Sequence, residues 1–444
     1  MTPQQTDAPN GFYGLGIAPK LLDVLEKLKF TTPTPIQSQS IPVALEGKDV
    51  MGIAQTGTGK TLAFGIPMIQ RLAQTRGRGL IVLPTRELAL QVQESLQRIG
   101  QQIGLKTVVL IGGMPIDRQI RELRANPHIF IGTPGRINDH LDQKVLKLHD
   151  VNVIVLDEAD RMLDMGFAPQ IQRIMQHVPA ERQTMLFSAT MPQEIVRLAN
   201  SYMKLPIRVE IARAGTASDR VTQELFFVRK EDKTRLLEKL LAEYKGTVLV
   251  FSRTKHGAKR IALAIRGIGH TSAELHSNRT LAQRKAALDG FKIGRIRVLV
   301  ATDIAARGID VQGIELVLNF DLPDQAEDYV HRIGRTGRAS HRGHAISFAT
   351  PDQRYEVKDI ERLLRMNLPV TQATELPPAR ALPRVEFEPE RGPRSFERRP
   401  SYGARSPRPA SGGSSQRRQG SHGARGSNST SRTSAPRRSP RVSW

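Results

Sequence analysis

The stretch that most restricts the fold is Val153–Asp160, in which four aliphatic residues run directly into acidic ones. An unbroken apolar run of this kind indicates a β-strand that is buried on both faces, as in a parallel sheet covered by helices. Asp157 and Glu158 then fall at the carboxyl end of the strand, where open α/β sheets bind their ligands. One carboxylate there can hold a hydrated Mg²⁺ ion, and its neighbour can orient or deprotonate a water molecule. The acidic pair alone is also compatible with a solvated turn.

A glycine-rich segment upstream supplies the partner that such a pair needs. Its end matches a phosphate-binding pattern at Gly59, Lys60 and Thr61, although the first glycine of that pattern is Ala54. Gly57 and Gly59 free the backbone to turn its N–H groups onto phosphate oxygens at a helix N-terminus. Lys60 would reach the β- and γ-phosphates, and the Thr61 hydroxyl would bind Mg²⁺. Together the two stretches predict a site for nucleoside-triphosphate hydrolysis.

Length and composition limit the class of protein. A chain of 444 residues is too long for one hydrophobic core, so we expect two or three domains. The sequence contains no run of about 18 apolar residues, which predicts no transmembrane helix and no membrane partner. The first residues lack a basic region followed by an apolar stretch, so we expect no signal peptide. Because cysteine is absent, disulfides and thiolate metal sites are excluded, which fits a location in the cytoplasm.

The positive charge is concentrated at the C-terminal end. Residues 391–444 contain 13 arginines, no lysine and one acidic residue (Glu397), a net charge of +12 out of +23 for the whole chain. Arginine pairs with phosphates and also stacks on bases. This asymmetry predicts a polyanionic partner, most simply a nucleic acid.

Two cycles of alternating strands and helices organise the chain. From the glycine-rich loop to residue 209 the alternation is typical of a parallel sheet, and it restarts after a short stretch of small residues. Beyond about residue 376, Pro, Gly, Ser and Arg dominate, and apolar residues are too few to offset the entropy cost of folding. We therefore predict a disordered N-terminus (1–11), a first α/β domain (12–211), a linker (212–220), a second α/β domain (221–370) and a disordered basic tail (371–444).

The second α/β domain lacks a phosphate loop of its own. Its strand Thr247–Phe251 is followed by no glycine-lysine-threonine sequence, so we expect it to bind no triphosphate by itself. It does carry Arg332, Arg335 and Arg338, whose spacing would place them on one face of a helix. They could form a solvated basic face. Alternatively, they could meet a γ-phosphate across the cleft between the domains, as arginine fingers do.

Taken together, these motifs resemble those of the DEAD-box family of ATP-dependent RNA helicases. The resemblance covers Phe12 to Arg338, and the core followed by a basic tail is similar to the bacterial RhlE-type subgroup. Lys29 and Ser277 depart from it, since both stand where the family usually has glycine. The matching motifs, in the family's order, are Gln37, Ala54–Thr61, Pro84–Ala89, Gly112–Gly113, Thr133–Arg136, Asp157–Asp160 (Asp-Glu-Ala-Asp), Ser188–Thr190, Val250–Thr254, Ala301–Asp310 and His331–Arg338.

The resemblance implies two tandem RecA-like parallel-sheet domains that bind ATP and Mg²⁺. It implies that Gln37 recognises adenine, that Phe12 stacks on the base and that Asp310 contacts the ribose. Asp157 and Thr61 would hold Mg²⁺, Glu158 would activate the attacking water, and Lys60, Arg335 and Arg338 would complete the catalytic set. The implied phosphate loop consists of Ala54, Gln55, Thr56, Gly57, Thr58, Gly59, Lys60 and Thr61.

The resemblance also implies RNA as the partner, bound across both domains with little sequence preference. Ser188 and Thr190 would couple hydrolysis to strand separation. We expect a monomer, with ribosome-assembly or RNA-decay proteins as further partners. The leading interpretation is an RNA-stimulated ATPase that separates short duplexes; an ATP-gated RNA clamp or annealing chaperone and a DNA-translocating helicase are the alternatives. The residues matching RNA-contacting motifs are Thr85, Arg86, Gly113, Thr133, Gly135, Arg136, Arg253, Thr254 and Thr302.

Overall fold

The structure is a computed structural model that describes residues 11–55, 57–211, 221–306, 311, 313–337, 342–372 and 375–378. The described residues all belong to one compact unit. The predicted linker and nearly all of the predicted N-terminal and C-terminal disordered segments also lie outside them. Three predicted site residues share this position: Thr56, Asp310 and Arg338.

The first lobe is built on a seven-stranded parallel sheet with the strand order β3-β4-β2-β5-β6-β1-β7. Its strands are β1 (Val50–Ile53), β2 (Arg78–Val82), β3 (Thr107–Leu110), β4 (Ile129–Gly132), β5 (Val151–Leu156), β6 (Gln183–Ser188) and β7 (Ile207–Glu210). Its helices are α1 (Pro19–Lys27), α2 (Pro35–Leu45), α3 (Lys60–Gln74), α4 (Arg86–Gly100), α5 (Ile116–Arg124), α6 (Pro134–Asp142), α7 (Ala159–Asp164), α8 (Ala168–Gln176) and α9 (Gln193–Tyr202).

Strand β5 is covered on both faces, as its apolar run predicts. Val153 and Val155 belong to the core on one face of the sheet, whereas Ile154 and Leu156 belong to the core on the other. Successive side chains of a strand point to opposite faces, so a strand between two helical layers must be apolar throughout. The apolar run therefore identifies β5 as a central strand, and polar side chains begin only at its carboxyl end.

The second lobe repeats this architecture, with the strand order β10-β11-β9-β12-β13-β8-β14 in another seven-stranded parallel sheet. Its strands are β8 (Val221–Phe227), β9 (Val248–Phe251), β10 (Ser272–Leu275), β11 (Val298–Ala301), β12 (Leu316–Asn319), β13 (Gly343–Ala349) and β14 (Val370–Thr371). Its helices are α10 (Lys233–Glu243), α11 (Lys255–Gly267), α12 (Leu281–Lys292), α13 (Asp303–Ala306), α14 (Ala326–Ile333) and α15 (Arg354–Leu364).

The two predicted α/β domains are confirmed as two RecA-like lobes, and the folded part of the second extends past residue 370. Strand β14 pairs with β8, and Leu376 packs against the core on one face of the sheet. Arg235 of α10 donates hydrogen bonds to the carbonyl oxygens of Leu376 and Pro377. These contacts hold the chain to the lobe just before the basic tail begins.

Within the described residues, no helix is both long enough and apolar enough to span a bilayer.

Candidate functional site

The glycine-rich loop connects β1 to α3 and has the backbone of a phosphate cradle. Gly57 and Gly59 lie in the left-handed region, with φ of 87° and 90°, a conformation that glycine adopts without steric cost. Lys60 is buried, and its Nζ donates a hydrogen bond of 3.0 Å to the carbonyl oxygen of Ala54. The Thr58 hydroxyl donates to the carbonyl oxygen of Gln55 at 2.7 Å. The loop therefore encloses the lysine ammonium group before any phosphate is bound.

Gln37 joins the segment before α2 to this loop. Its Oε1 accepts a hydrogen bond from the backbone N–H of Thr34 at 2.9 Å, and its Nε2 donates to the carbonyl oxygen of Gly59 at 3.0 Å. A Cβ atom at Gly59 would lie 2.3 Å from that Nε2 atom, so only glycine permits this approach. The sequence predicted Gln37 as a reader of adenine but did not reveal these two contacts, which use one lone pair of Oε1 and one N–H of Nε2.

Phe12 does not lie where the resemblance implies. Its ring is 3% exposed and packs in the core of the first lobe, so neither face is open to a nucleotide base. Phe30, by contrast, is 42% exposed and begins the proline-rich segment leading to Gln37. Tyr13, next to Phe12, is 55% exposed as well. Burial decides between two phenylalanines that sequence alone does not distinguish.

Asp157 directly follows β5, lies near Lys60 of the loop and has the chemistry of a magnesium ligand. Burial raises the pKa of its carboxyl group to about 6, and the neighbouring Lys60 partly opposes this increase. The described residues hold no cluster of three or more His, Cys, Asp or Glu side chains that could bind a metal ion. Mg²⁺ does not require one, because it usually keeps several waters and takes one or two carboxylates. Asp157 and the half-buried Thr61 hydroxyl therefore fit a hydrated Mg²⁺ ion.

Glu158 follows in a constrained conformation. Its φ of 52° is left-handed, which is strained for a residue with a side chain. Its backbone N–H donates to Asp157 Oδ1 at 2.9 Å, and its side chain is 2% exposed. No described residue donates a hydrogen bond to either carboxylate oxygen. The carboxylate is thus buried without a hydrogen bond from any described residue.

Asp160 connects the acidic motif to the strand end that follows β6. Its Oδ2 accepts hydrogen bonds from the backbone N–H of Ala189 at 3.0 Å and from the N–H and hydroxyl of Thr190, each at 2.9 Å. Burial alone would raise the pKa of this carboxyl group, but the charges of His331 and other basic neighbours outweigh it and the pKa lies below its ordinary value. Ser188 is buried, and no described residue bonds its hydroxyl. His331 belongs to the second lobe, so the Asp160 carboxylate interacts with groups of both lobes.

Arg332 and Arg335 of the second lobe do not share a helical face. Helix α14 ends at Ile333, so Arg332 is helical and Arg335 lies beyond the end. Arg332 is bound internally, with Nη2 2.7 Å from Asp303 Oδ2 and Nη1 2.6 Å from the carbonyl oxygen of Asp321. The predicted common face is therefore wrong for Arg332 and Arg335, because the helix ends before Gly334 and Arg332 stabilises the lobe. Arg338 lies outside the described residues.

Arg335 instead points into a cavity shared by the two lobes. It is 2% exposed, and its Nε donates to the carbonyl oxygen of His331 at 3.2 Å. The first lobe contributes Arg161 to this cavity, from the helix that follows the acidic motif. The lining residues are Arg161, Phe251, Asp303, Asp328, His331, Arg332 and Arg335.

The predicted RNA-contacting residues of the first lobe lie at helix starts and glycine turns. Thr85 caps α4 by accepting a hydrogen bond from the N–H of Leu88 at 3.3 Å. The guanidinium group of Arg86 lies over the next turn, where a Cβ atom at Gly113 would come within 2.5 Å of Nη1. Arg136 Nη1 donates to the carbonyl oxygen of Met114 at 3.2 Å. Thr133 precedes the first turn of α6, and around Gly135 there is open space.

The predicted RNA-contacting residues of the second lobe lie in the segments directly after strands. Thr254 caps α11 by accepting from the N–H of Gly257 at 2.9 Å. The N–H of Arg253 donates to Asp321 Oδ2 at 3.1 Å, which fixes the loop after β9. Thr302 follows β11, the neighbour of β9 in the sheet. Parallel strands bring these carboxyl ends to one edge of the sheet.

An ion pair that the sequence did not reveal joins the two lobes. Arg284 Nη2 of α12 lies 3.0 Å from Glu87 Oε1 of α4, and both side chains are largely buried. Burial and the charge of Arg284 lower the pKa of the neighbouring Arg86. Glu87 directly follows Thr85 and Arg86 in the sequence, so the lobes meet beside these predicted RNA-contacting residues.

This arrangement places the chain among the two-lobed RecA-like nucleoside triphosphatases, in which one lobe carries the phosphate loop and the other supplies arginine. The family model of DEAD/DEAH box helicases matches residues 34–198, and that of the helicase conserved C-terminal domain matches residues 232–340.

Known relatives cover the same part of the chain. The ATP-dependent rRNA helicase RRP3 of Debaryomyces hansenii is 42% identical over 81% of this chain and 76% of its own length. The DEAD-box ATP-dependent RNA helicase CshA of Geobacillus kaustophilus is 43% identical over 80% of this chain and 77% of its own. The solved structure of S. cerevisiae Dbp5 bound to RNA and ADP BeF3 matches with a TM-score of 0.75 at 30% identity, over 82% of this chain and 96% of that one. The chain belongs to the DEAD-box family of ATP-dependent RNA helicases.

Proposed function

We propose that this RNA helicase hydrolyses ATP at the loop of the first lobe only when Arg335 of the second lobe faces it, and that bound RNA promotes this arrangement. One observation carries the proposal: Arg335 and Arg161 belong to different lobes and line one cavity next to the acidic motif. Arginine fingers supplied from outside a phosphate loop are worth about 10³–10⁵ in turnover in related systems. Hydrolysis would therefore depend on closure of the lobes.

The roles of the individual residues follow from their positions. Backbone N–H groups of residues 54–61 and the Lys60 ammonium group hold the phosphates, and Gln37 and the exposed Phe30 hold the base. Mg²⁺ would be held by Thr61 and Asp157, and when bound it would neutralise charge on the phosphates. Glu158 accepts the proton of the attacking water. Arg338 and Asp310, which lie outside the described residues, would add a second finger and a ribose contact.

RNA is proposed to lie across the residues at the strand ends of both lobes. Hydroxyls, backbone N–H groups and arginines suit phosphate and sugar contacts, so binding would depend little on sequence. Separation of a short duplex would follow because closure changes the path of one strand, and the contacts of Asp160 with Thr190 and with the charge of His331 supply the link between hydrolysis and that movement. The bound state of Dbp5, which holds RNA and a nucleotide analogue, supports this proposal.

The remaining expectations rest on charge and on relatives. We propose that the basic tail adds affinity for RNA without sequence preference and places the chain in the RhlE-type subgroup. We propose that the protein acts in the cytoplasm as a monomer, with ribosome assembly or RNA decay as its setting; the name of RRP3, an rRNA helicase, supports the former. The predicted domain limits at residues 12, 211 and 221 remain part of this proposal.

Two variants test the assignment of the site. Lys60→Ala should abolish nucleotide binding, whereas Glu158→Gln should keep it and trap a stable complex with RNA and ATP. ATPase turnover with RNA, DNA or neither, and with GTP in place of ATP, distinguishes an RNA helicase from a DNA translocase. Normal turnover by Glu158→Gln would show that another group is the base. Comparison of duplex separation with strand annealing, with and without residues 391–444, tests the alternative of a clamp or chaperone.

A further inference from the structure

Arg161 differs from Arg332, which is also buried at the junction of the lobes. The guanidinium group of Arg332 donates hydrogen bonds to Asp303, Asn319 and the carbonyl oxygen of Asp321. Arg161 is equally buried, at 2% exposure, yet no described residue accepts a hydrogen bond from its Nη1 or Nη2. Unpaired donors of a buried cation cost free energy. Arg332 therefore stabilises its lobe, and Arg161 requires another explanation.

Among the described residues, the carboxylate that forms an ion pair with Arg161 is that of Glu158, and the charge of Arg161 also acts on Asp160. Arg161 Nε lies 3.4 Å from Glu158 Oε2, one helical turn away on α7. That separation is longer than a normal hydrogen bond, so the interaction is mainly one of charge. The neighbouring carboxylates have further partners: three donors bind Asp160 Oδ2, the charge of His331 acts on Asp160 more strongly than that of Arg161, and Lys60 lies near Asp157. Among the described residues, Glu158 has Arg161 as its ion-pair partner.

The same side chain also faces the second lobe. Arg161 is the first-lobe member of the cavity that Arg335, His331 and Asp328 line from the other side. It thus lies between the carboxylate proposed as the base and the arginine proposed as the finger. A substitution at this position would alter the direction of the Glu158 carboxylate without removing any group that holds the nucleotide.

We propose that Arg161 is a positioning residue, which holds the Glu158 carboxylate in its working direction when the lobes are closed. The proposal rests on the proposed role of Glu158 as the base. Glu158 follows the strand with a left-handed backbone, and its carboxylate accepts no hydrogen bond from any described residue, so the charge of Arg161 is what keeps this carboxylate from turning away. The effect should appear in the rate of the chemical step and not in nucleotide affinity.

The test compares Arg161→Met and Arg161→Lys with the wild type in the full chain. RNA-stimulated ATPase kinetics give kcat and KM, a fluorescent ATP analogue gives nucleotide affinity, and thermal unfolding checks the fold. Arg161→Met should lower kcat about 10-fold or more, since a positioned general base supplies about 10²–10⁴ in rate, with nucleotide affinity within about twofold. Arg161→Lys keeps the positive charge but has a shorter side chain, and its kcat should lie between those of the wild type and Arg161→Met. Arg173→Met, on α8, breaks a half-exposed ion pair with Asp142 of α6; it is the matched control and should change neither parameter.

A second arm separates positioning from a general structural role. In a Glu158→Gln background, Arg161→Met should cause no further loss of turnover, because it acts through the carboxylate that is already gone. An equal further loss, or a folded Arg161→Met enzyme with wild-type kcat, would overturn the proposal. If Arg161→Met does not fold, Arg161→Lys decides by itself: at least a threefold fall in kcat at unchanged affinity supports the proposal and an unchanged kcat refutes it. A fully active Glu158→Gln enzyme would instead refute the assignment of the base.

Discussion

The buried carboxylate of Asp157 should make the metal-free protein less stable at neutral pH than a variant that cannot ionise there. Its pKa is raised by burial from an ordinary value of 3.8 to about 6. The folded state therefore binds this proton more tightly than the unfolded state, and stability is lost as pH rises from about 4 to 6. At 1.36 kcal/mol for each pH unit, the loss is about 3 kcal/mol at pH 7.5 and about half of that at pH 5.

Asp157→Asn is the substitution that isolates this effect. Asparagine keeps the Oδ1 atom that accepts from the N–H of Glu158, so the turn is retained while the charge is removed. In EDTA at pH 7.5 the variant should unfold at a temperature higher by about 6–12 °C, given about 2–4 °C for each kcal/mol in a lobe of this size. At pH 5 the difference should be about half as large.

Calorimetric unfolding with and without Mg²⁺ and ADP completes the assay. The ligands should stabilise the wild type more than Asp157→Asn, since the proposed metal ligand is weakened in the variant. Equal unfolding temperatures for the two proteins at pH 7.5 in EDTA, or a difference that grows as pH falls, would refute this reasoning. Lys60→Met is a useful control. Because the positive charge of Lys60 opposes the effect of burial on Asp157, its removal should lower the unfolding temperature of the metal-free protein further.

Three other predictions follow from the site and the tail. Arg284→Glu should weaken nucleotide-dependent RNA binding about 100-fold, because breaking a buried ion pair by removing one partner costs about 3 kcal/mol or more. The double variant with Glu87→Arg should recover part of this binding. Binding titrations in which both variants behave like the wild type would contradict the role of this pair. Phe30→Ala should raise KM for ATP by about tenfold without a change in unfolding temperature, whereas Phe12→Ala should lower that temperature by opening the core; the reverse pattern would restore Phe12 as the base-stacking residue. Removal of residues 391–444 should weaken RNA binding and flatten the dependence of log affinity on log salt by several units, with kcat little changed, and an unchanged slope would show that the tail does not bind RNA.

The parts of the fold with strong periodicity could be predicted from sequence. Continuous apolar runs such as Val248–Phe251 predict strands buried between helices, and the structure confirms both sheets. Strand β14 could not be predicted this way, because two residues carry no periodicity and Val370 is exposed. The position of the chain after residue 370 depends on Arg235, whose partners are backbone carbonyl groups that leave no pattern in the sequence.

The same distinction applies to the candidate site. Residues of local motifs, such as Lys60 and Asp157, could be located because the backbone around them is specified by neighbouring glycines and strand ends. Contacts between distant segments could not, as the Glu87–Arg284 pair shows. Phe12 was misplaced for a related reason: an aromatic residue near a motif can serve a core or a ligand, and only tertiary packing separates the two.

The central claim is that the second lobe completes a site that the first lobe cannot operate alone. Steady-state ATP hydrolysis by Arg335→Gln, with and without saturating RNA, tests it most directly when nucleotide affinity is measured in parallel. The account predicts a loss of about 10³-fold or more in RNA-stimulated turnover, with ATP still bound about as tightly as by the wild type. Turnover at the wild-type rate in the presence of RNA would contradict it.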